Sequence, residues 1–237
     1  MTNSQLKSEC GKLDLKITDS QAGLMQKFIT LFIERNKSIN LAKINSEKEF
    51  VIKHILDSLT ISKFIDFKPN SKVADLGTGG GLPGIPLAIL FPDTSFTLVD
   101  SVQKKIRCVE EFTSRLKLNN INCLSDRLEA IGQDKKYREQ FDLVIARAIA
   151  PLPVLLELAL PLVKKGGLFI AMKGPGYKEE INEAANALKQ LRIGLPKVEK
   201  YELPEGIGTH YLLMFRKNKP TPSIYPRRTG IPNKNPL

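Results

Sequence analysis

At 237 residues, 42 % of them hydrophobic, the chain is large enough for one globular domain, or a domain with a small appendage, built around a proper core. Its formal net charge of +11 favours a polyanionic partner, while the absence of tryptophan leaves few stacking platforms. Cys10, Cys108 and Cys123 are scattered without zinc or disulfide spacing, no signal pattern opens the chain, and residues 152–163 are too short and Pro-broken to span a bilayer; a reduced cytoplasmic protein without metal or membrane is expected.

Residues ahead of Lys72 read as helical. Thr18 with Gln21 makes a capping box, after which Ala22, Met25, Phe28 and Phe32 recur at helical spacing. Ser46 with Glu49 makes a second, ahead of Val51, Ile55, Leu59 and then Phe64. Asn36, Lys37, Asn40 and Leu41 are assigned to a short polar connection between the two helices. His54, Asp57 and Ser58 share one helix face, as a solvated polar face or as the rim of a site.

From Lys72 onward strands and helices alternate. Strands are expected at residues 73–76, 94–99, 120–124, 140–146 and 167–172, the last after a Gly166-Gly167 turn, with helices at 104–118 and 177–192. Residues 198–203 and 210–215 close the pattern as an antiparallel pair at the edge of a mostly parallel sheet. The fold class is therefore α/β and doubly wound. Residues 1–66 form a helical cover, 67–216 the main domain and 217–237 a tail. Arg216, Lys217, Lys219, Arg227, Arg228 and Lys234 have no acidic neighbour near the tail, which also carries five prolines, so it reads as an extended basic arm or a disordered solubilising tail.

The centre of the chain is the stretch from Lys72 to Pro86. Asp75 ends a buried strand, where a carboxylate must find hydrogen bonds, and Gly77, Gly79 and Gly81 let a ligand approach the backbone. A dinucleotide fingerprint needs glycine where Leu82 stands, so a nicotinamide oxidoreductase is disfavoured. The pattern instead looks like motif I of S-adenosylmethionine-dependent methyltransferases. That donor carries an ammonium and a sulfonium suited to the Asp75 carboxylate, and Asp100 at the next strand end is placed for ribose hydroxyls. Asp126, Arg127, Leu128 and Glu129 follow the third strand, where Leu128 either flanks the adenine or is simply core.

After the fourth strand comes Ala146-Arg147-Ala148, not the Asn/Asp-Pro-Pro-Tyr of amine methyltransferases, and no cysteine falls where a pyrimidine nucleophile would be needed. A purine ring nitrogen with a free lone pair needs neither, leaving Arg147 to orient a base or phosphate.

These residues resemble a specific family, the bacterial small-subunit ribosomal RNA methyltransferases that form 7-methylguanosine, also called glucose-inhibited division protein B. The matching pieces are Asn36-Lys37 with Asn40-Leu41, His54 to Ser58, Asp75 to Pro86, Leu98 to Ser101, Ser125 to Glu129, Arg147-Ala148 and Lys173-Gly174; the Tyr225-Pro226-Arg227-Arg228 tail is similar to a longer form found in some members. Ala42 stands where members often carry threonine. The resemblance implies a class I, Rossmann-like methyltransferase fold, S-adenosylmethionine held by Gly77, Leu82, Leu128, Glu129 and Arg147, and a ribosomal RNA guanine as substrate of a monomeric enzyme. Asp75, Gly79 and Asp100 complete the expected donor site. Arg147 and Lys173 would position the substrate or the donor carboxylate, with His54 and Asp57 at the rim. The alternative is an RNA-binding protein that keeps the fold without the activity.

Overall fold

The computed structural model describes residues 2–237. Two helices open the chain, α1 (Asn3–Gly11) and α2 (Asp19–Ile39), and each starts on a reciprocal capping box, Thr2 with Gln5 and Thr18 with Gln21. Asn36 and Lys37 lie inside α2 rather than in the connection, which begins at Asn40. Asn36 still serves that connection: its Oδ1 accepts from the Leu41 and Ala42 N–H groups, and its amide donates to the Ala42 carbonyl. The next helical run is composite, α3 (Glu47–Phe50), a π-helical stretch (Val51–Leu56), α4 (Asp57–Thr60) and a 3-10 turn (Ile61–Lys63). Only half of its expected capping box forms. Ser46 accepts from the Glu49 N–H at 3.1 Å, whereas the Glu49 carboxylate pairs with Lys53.

The α/β core then runs β1 (Lys72–Leu76), α5 (Gly84–Leu90), β2 (Ser95–Asp100), α6 (Gln103–Leu116), β3 (Ile121–Ser125), α7 (Leu128–Gln133), β4 (Phe141–Arg147), α8 (Leu152–Ala159), β5 (Val163–Lys173), α9 (Tyr177–Glu183), α10 (Ala185–Gln190), β6 (Lys197–Leu203) and β7 (Gly208–Arg216). The seven strands are ordered β3-β2-β1-β4-β5-β7-β6, parallel except for β7. β6 and β7 form the expected antiparallel pair at the sheet edge, with β7 inside against β5 and β6 outermost. Gly166 and Gly167 lie within β5 instead of preceding it, and the expected helix at 177–192 is divided at Ala184.

Alternation along the strands splits the core into two layers. Val73, Leu98, Leu143, Ile145 and Ile170 join the apolar cluster beneath α2, α5 and α6, while Ala74, Leu76, Val144, Ala146 and Phe169 join that beneath α8 and α10. The N-terminal helices share the first cluster, so they cover one sheet face directly.

The segment after β7 is not an extended arm. It folds back along α7 and α8 and ends in a short helix, α11 (Ile231–Lys234). Lys217 is 2 % exposed, its ammonium held by Glu139 and the carbonyls of Leu160 and Val163 at 2.7–2.8 Å. Arg138 donates to the carbonyls of Thr221, Pro222 and Tyr225, and Arg227 forks onto the fully buried Glu157. Proline forbids long helices, but it does not forbid a packed, irregular path whose carbonyls are satisfied by side chains.

Candidate active site

The loop after β1 is closed by its own acid. Asp75 Oδ2 accepts from Thr78 Oγ1 at 2.6 Å and from the Gly84 N–H at 2.9 Å, tying the two ends of the glycine turn together. Its Oδ1 is buried with no hydrogen-bond partner, and burial outweighs the two hydrogen bonds to push the carboxyl pKa up to about 7. Gly77 adopts φ +63°, and a Cβ there would stand 2.7 Å from Ile149 Cγ1; both the backbone and the space require glycine. The Gly79 N–H donates to Asp100 Oδ2 at 3.0 Å, which locks the loop to the end of β2.

Outside the carboxyl ends of β1 to β4 lies a cavity of about 310 Å³. Gly77, Asp100, Leu128, Glu129 and Ile149 line it, together with Asn233 from α11. Asp100 Oδ1 accepts from the Val102 N–H at 2.9 Å, so each carboxylate oxygen keeps a lone pair for a ligand hydroxyl. Leu128 and Ile149 supply half-buried apolar flanks suited to a flat ring. Glu129 Oε1 accepts from the Gly230 N–H at 2.9 Å.

A second constellation sits at the end of β4, against the helical cover. The Arg147 guanidinium donates to Asp57 Oδ2 at 3.0 Å, to His54 Nδ1 at 3.2 Å and to the Lys53 carbonyl at 3.4 Å. Because arginine only donates, His54 Nδ1 must accept, which selects the neutral ring with its proton on Nε2. Burial, reinforced by the Arg147 charge, accordingly holds the His54 pKa down at about 4. Asp57 is 4 % exposed; it also accepts from Tyr201 Oη at 2.6 Å and lies 3.7 Å from His210 Nδ1. Burial and the Asp57 charge drive the Tyr201 phenol well above its ordinary range.

The expected residues therefore do not form one site. Gly77, Asp100, Leu128 and Glu129 line the cavity, while Asp75 and Gly79 brace its loop. Leu82 does not line it: the turn that bonds its N–H to the Thr78 carbonyl sends it into the core, where it is 6 % exposed. Arg147 borders the cavity through Ala148 and Ile149 without lining it, and Asp57 is an interior partner of Arg147, not a rim residue. Lys173 does not join either constellation; its ammonium donates to Glu180 Oε2 at 2.6 Å and the Ala150 carbonyl at 3.0 Å, fastening the loop after β4 to α9. Tyr201 and His210 were not legible as site residues, since no local spacing connects β6 and β7 to the helical cover.

The cavity fits S-adenosylmethionine through the spare lone pairs on Asp100 for hydroxyls and the apolar flanks for an adenine, whereas Asp75, expected to face the donor's cationic groups, is buried outside the cavity and braces the loop. Among the described residues no cluster of His, Cys, Asp or Glu could hold a metal ion.

The sequence model of the family described as rRNA small subunit methyltransferase G (GidB) matches residues 21–204. The chain is 41 % identical over 232 residues to the "Ribosomal RNA small subunit methyltransferase G" of Desulforamulus reducens, covering 98 % of this chain and 97 % of that protein. The protein of that name from Staphylococcus aureus (strain bovine RF122) is 39 % identical over 237 residues, covering 100 % and 99 %. Among solved structures, TrmN from Thermus thermophilus superposes with TM-score 0.54 at 17 % identity, over 69 % of this chain and 48 % of that one. M. jannaschii TYW2 in complex with AdoMet gives TM-score 0.51 at 18 % identity, over 68 % and 76 %. At such identities the structures speak for the fold, a class I methyltransferase.

Proposed function

This chain belongs to the rRNA small subunit methyltransferase G family, and from that membership we propose that it transfers the methyl group of S-adenosylmethionine to N7 of a guanine in small-subunit ribosomal RNA. The observation that carries the reading is the adjacency of the Gly77–Asp100–Leu128 cavity to the Arg147 cluster, along the ends of β1 to β4. When bound, S-adenosylmethionine supplies an electrophilic methyl on a cationic sulfur, and a guanine N7 lone pair can take it with no proton to remove.

The chain's own task is then alignment. Asp100 and the loop pinned by Asp75 hold the donor, and Arg147, its plane fixed by Asp57 and His54, holds the guanine or its phosphate. The cysteines support this choice over pyrimidine C5 chemistry. Burial raises the Cys108 thiol and raises Cys123 to about 11, the reverse of what a nucleophile requires. No described helix is long and apolar enough to cross a membrane. The reading takes the enzyme as a cytoplasmic monomer.

Incubation of the purified protein with labelled S-adenosylmethionine and bacterial small-subunit RNA or subunit particles, followed by mass mapping, is expected to place one methyl on a guanine. Donor binding by calorimetry without methyl transfer to either substrate would sink this reading. Neither binding nor transfer would favour the RNA-binding alternative.

A further inference from the structure

The C-terminal segment reaches the donor cavity, which neither its composition nor the strand-end geometry of the fold explains. Asn233 stands in the cavity wall beside Leu128 and Glu129, at the end reached from β3. On one side of it Gly230 donates its N–H to Glu129, and on the other the Asn235 carbonyl accepts from Arg227 at 2.8 Å. Arg227 is itself clamped: its backbone N–H, Nε and terminal nitrogen meet the Glu157 carboxylate at 2.6–2.9 Å, and Glu157 is 0 % exposed. Gln133, on α7, holds the Pro226 carbonyl at 2.8 Å. Asn233 is thus presented from a rigid support although it is itself exposed.

We propose that this segment is the outer wall of the donor site, and that Asn233 is a further binding residue which reads the adenine edge. The inference rests on the methyltransferase reading above. A primary amide carries a donor and an acceptor side by side, the complement of adenine's exocyclic amine and neighbouring ring nitrogen. Asn233 lines the same cavity as Leu128, the apolar flank for a flat ring, and Gly230, three residues before it, is held by Glu129 after β3. This places the amide on the wall shared with the flat-ring flank, the part of the cavity suited to the nucleoside.

The test is calorimetric titration of the full-length wild type and N233A with S-adenosylhomocysteine and with its N6,N6-dimethyl analogue, whose exocyclic nitrogen has no hydrogen left to donate. N233A is expected to lose about tenfold in affinity for S-adenosylhomocysteine, the size of one well-made hydrogen bond, and little for the dimethyl ligand, which the wild type cannot engage in this way. Unchanged binding of S-adenosylhomocysteine by N233A overturns the role of Asn233, and so does an equal loss for both ligands. Failure of the wild type to bind S-adenosylhomocysteine overturns instead the donor reading on which the inference stands. The exposed position of Asn233 makes an unchanged melting temperature the expected control.

Discussion

Asp75 and His54 titrate in opposite directions within one neighbourhood, and this makes their effects separable. Asp75 has a folded pKa raised from 3.8 to about 7, so the stability it contributes is complete below its unfolded value and is lost as pH rises through 7. His54 is lowered from 6.5 to about 4, so its contribution is complete above 6.5 and is lost as pH falls towards 4. In the wild type the two slopes oppose each other between those limits. Relative to wild type, D75N should therefore gain stability as pH rises from 4.5 to 7.5, and H54Q should gain as pH falls, each by roughly 1–3 kcal/mol across the window. Urea unfolding at four pH values measures both; three parallel curves would refute the assignment. Asp75, Gly77 and Asp100 could be read from the sequence because strand ends and tight turns dictate what stands there. Leu82 could not, because one hydrogen bond from its N–H to Thr78 decides whether its side chain meets ligand or core.

Elements were legible wherever periodicity repeats, and the C-terminal segment was not. Its cations lack acidic neighbours in sequence because Glu157, Glu139 and Glu129, which bind Arg227, Lys217 and the Gly230 N–H, lie 70, 78 and 101 residues from those partners. Composition therefore shows Lys217 and Arg227 as unbalanced charges where the fold pairs both. The same distance hid Tyr201, 144 residues from Asp57. The Glu157–Arg227 pair is the clearest test of the packed segment. Glu157 is fully buried but Arg227 is 26 % exposed, so E157Q leaves a cation that water partly reaches; the loss should be about 1.5–3 kcal/mol, the range for hydrogen bonds to a charged group, and should lower the urea midpoint. It should also weaken donor binding, since α11 loses its anchor. An E157Q protein with the wild-type midpoint would mean that the segment is not held as described.

For the whole molecule, the folded tail changes where the positive charge is available. Lys217 and Arg227 are consumed internally, while Arg228 and Lys234 remain exposed on the side of the Asp100–Leu128 cavity and Lys219 is exposed at the opposite end of the sheet, beside Arg192 and Arg216. Deleting the segment would confuse two effects, because it removes the cations and the cavity wall together. Neutralising the two exposed cations on the cavity side, as R228Q/K234Q, keeps the anchors and asks only about charge. If these side chains meet RNA phosphates, each pairing releases counterions, and the slope of log affinity against log salt should flatten by about 0.7–0.9 for every phosphate no longer neutralised. Filter binding of small-subunit RNA at salt concentrations from about 50 to 300 mM reads that slope. A flattening of about 1.5 units with S-adenosylhomocysteine affinity intact would put the RNA across the end of the tail, next to the Asp100–Leu128 cavity. An unchanged slope would move the RNA to other cations of this +11 chain, leaving the tail to act on the donor alone.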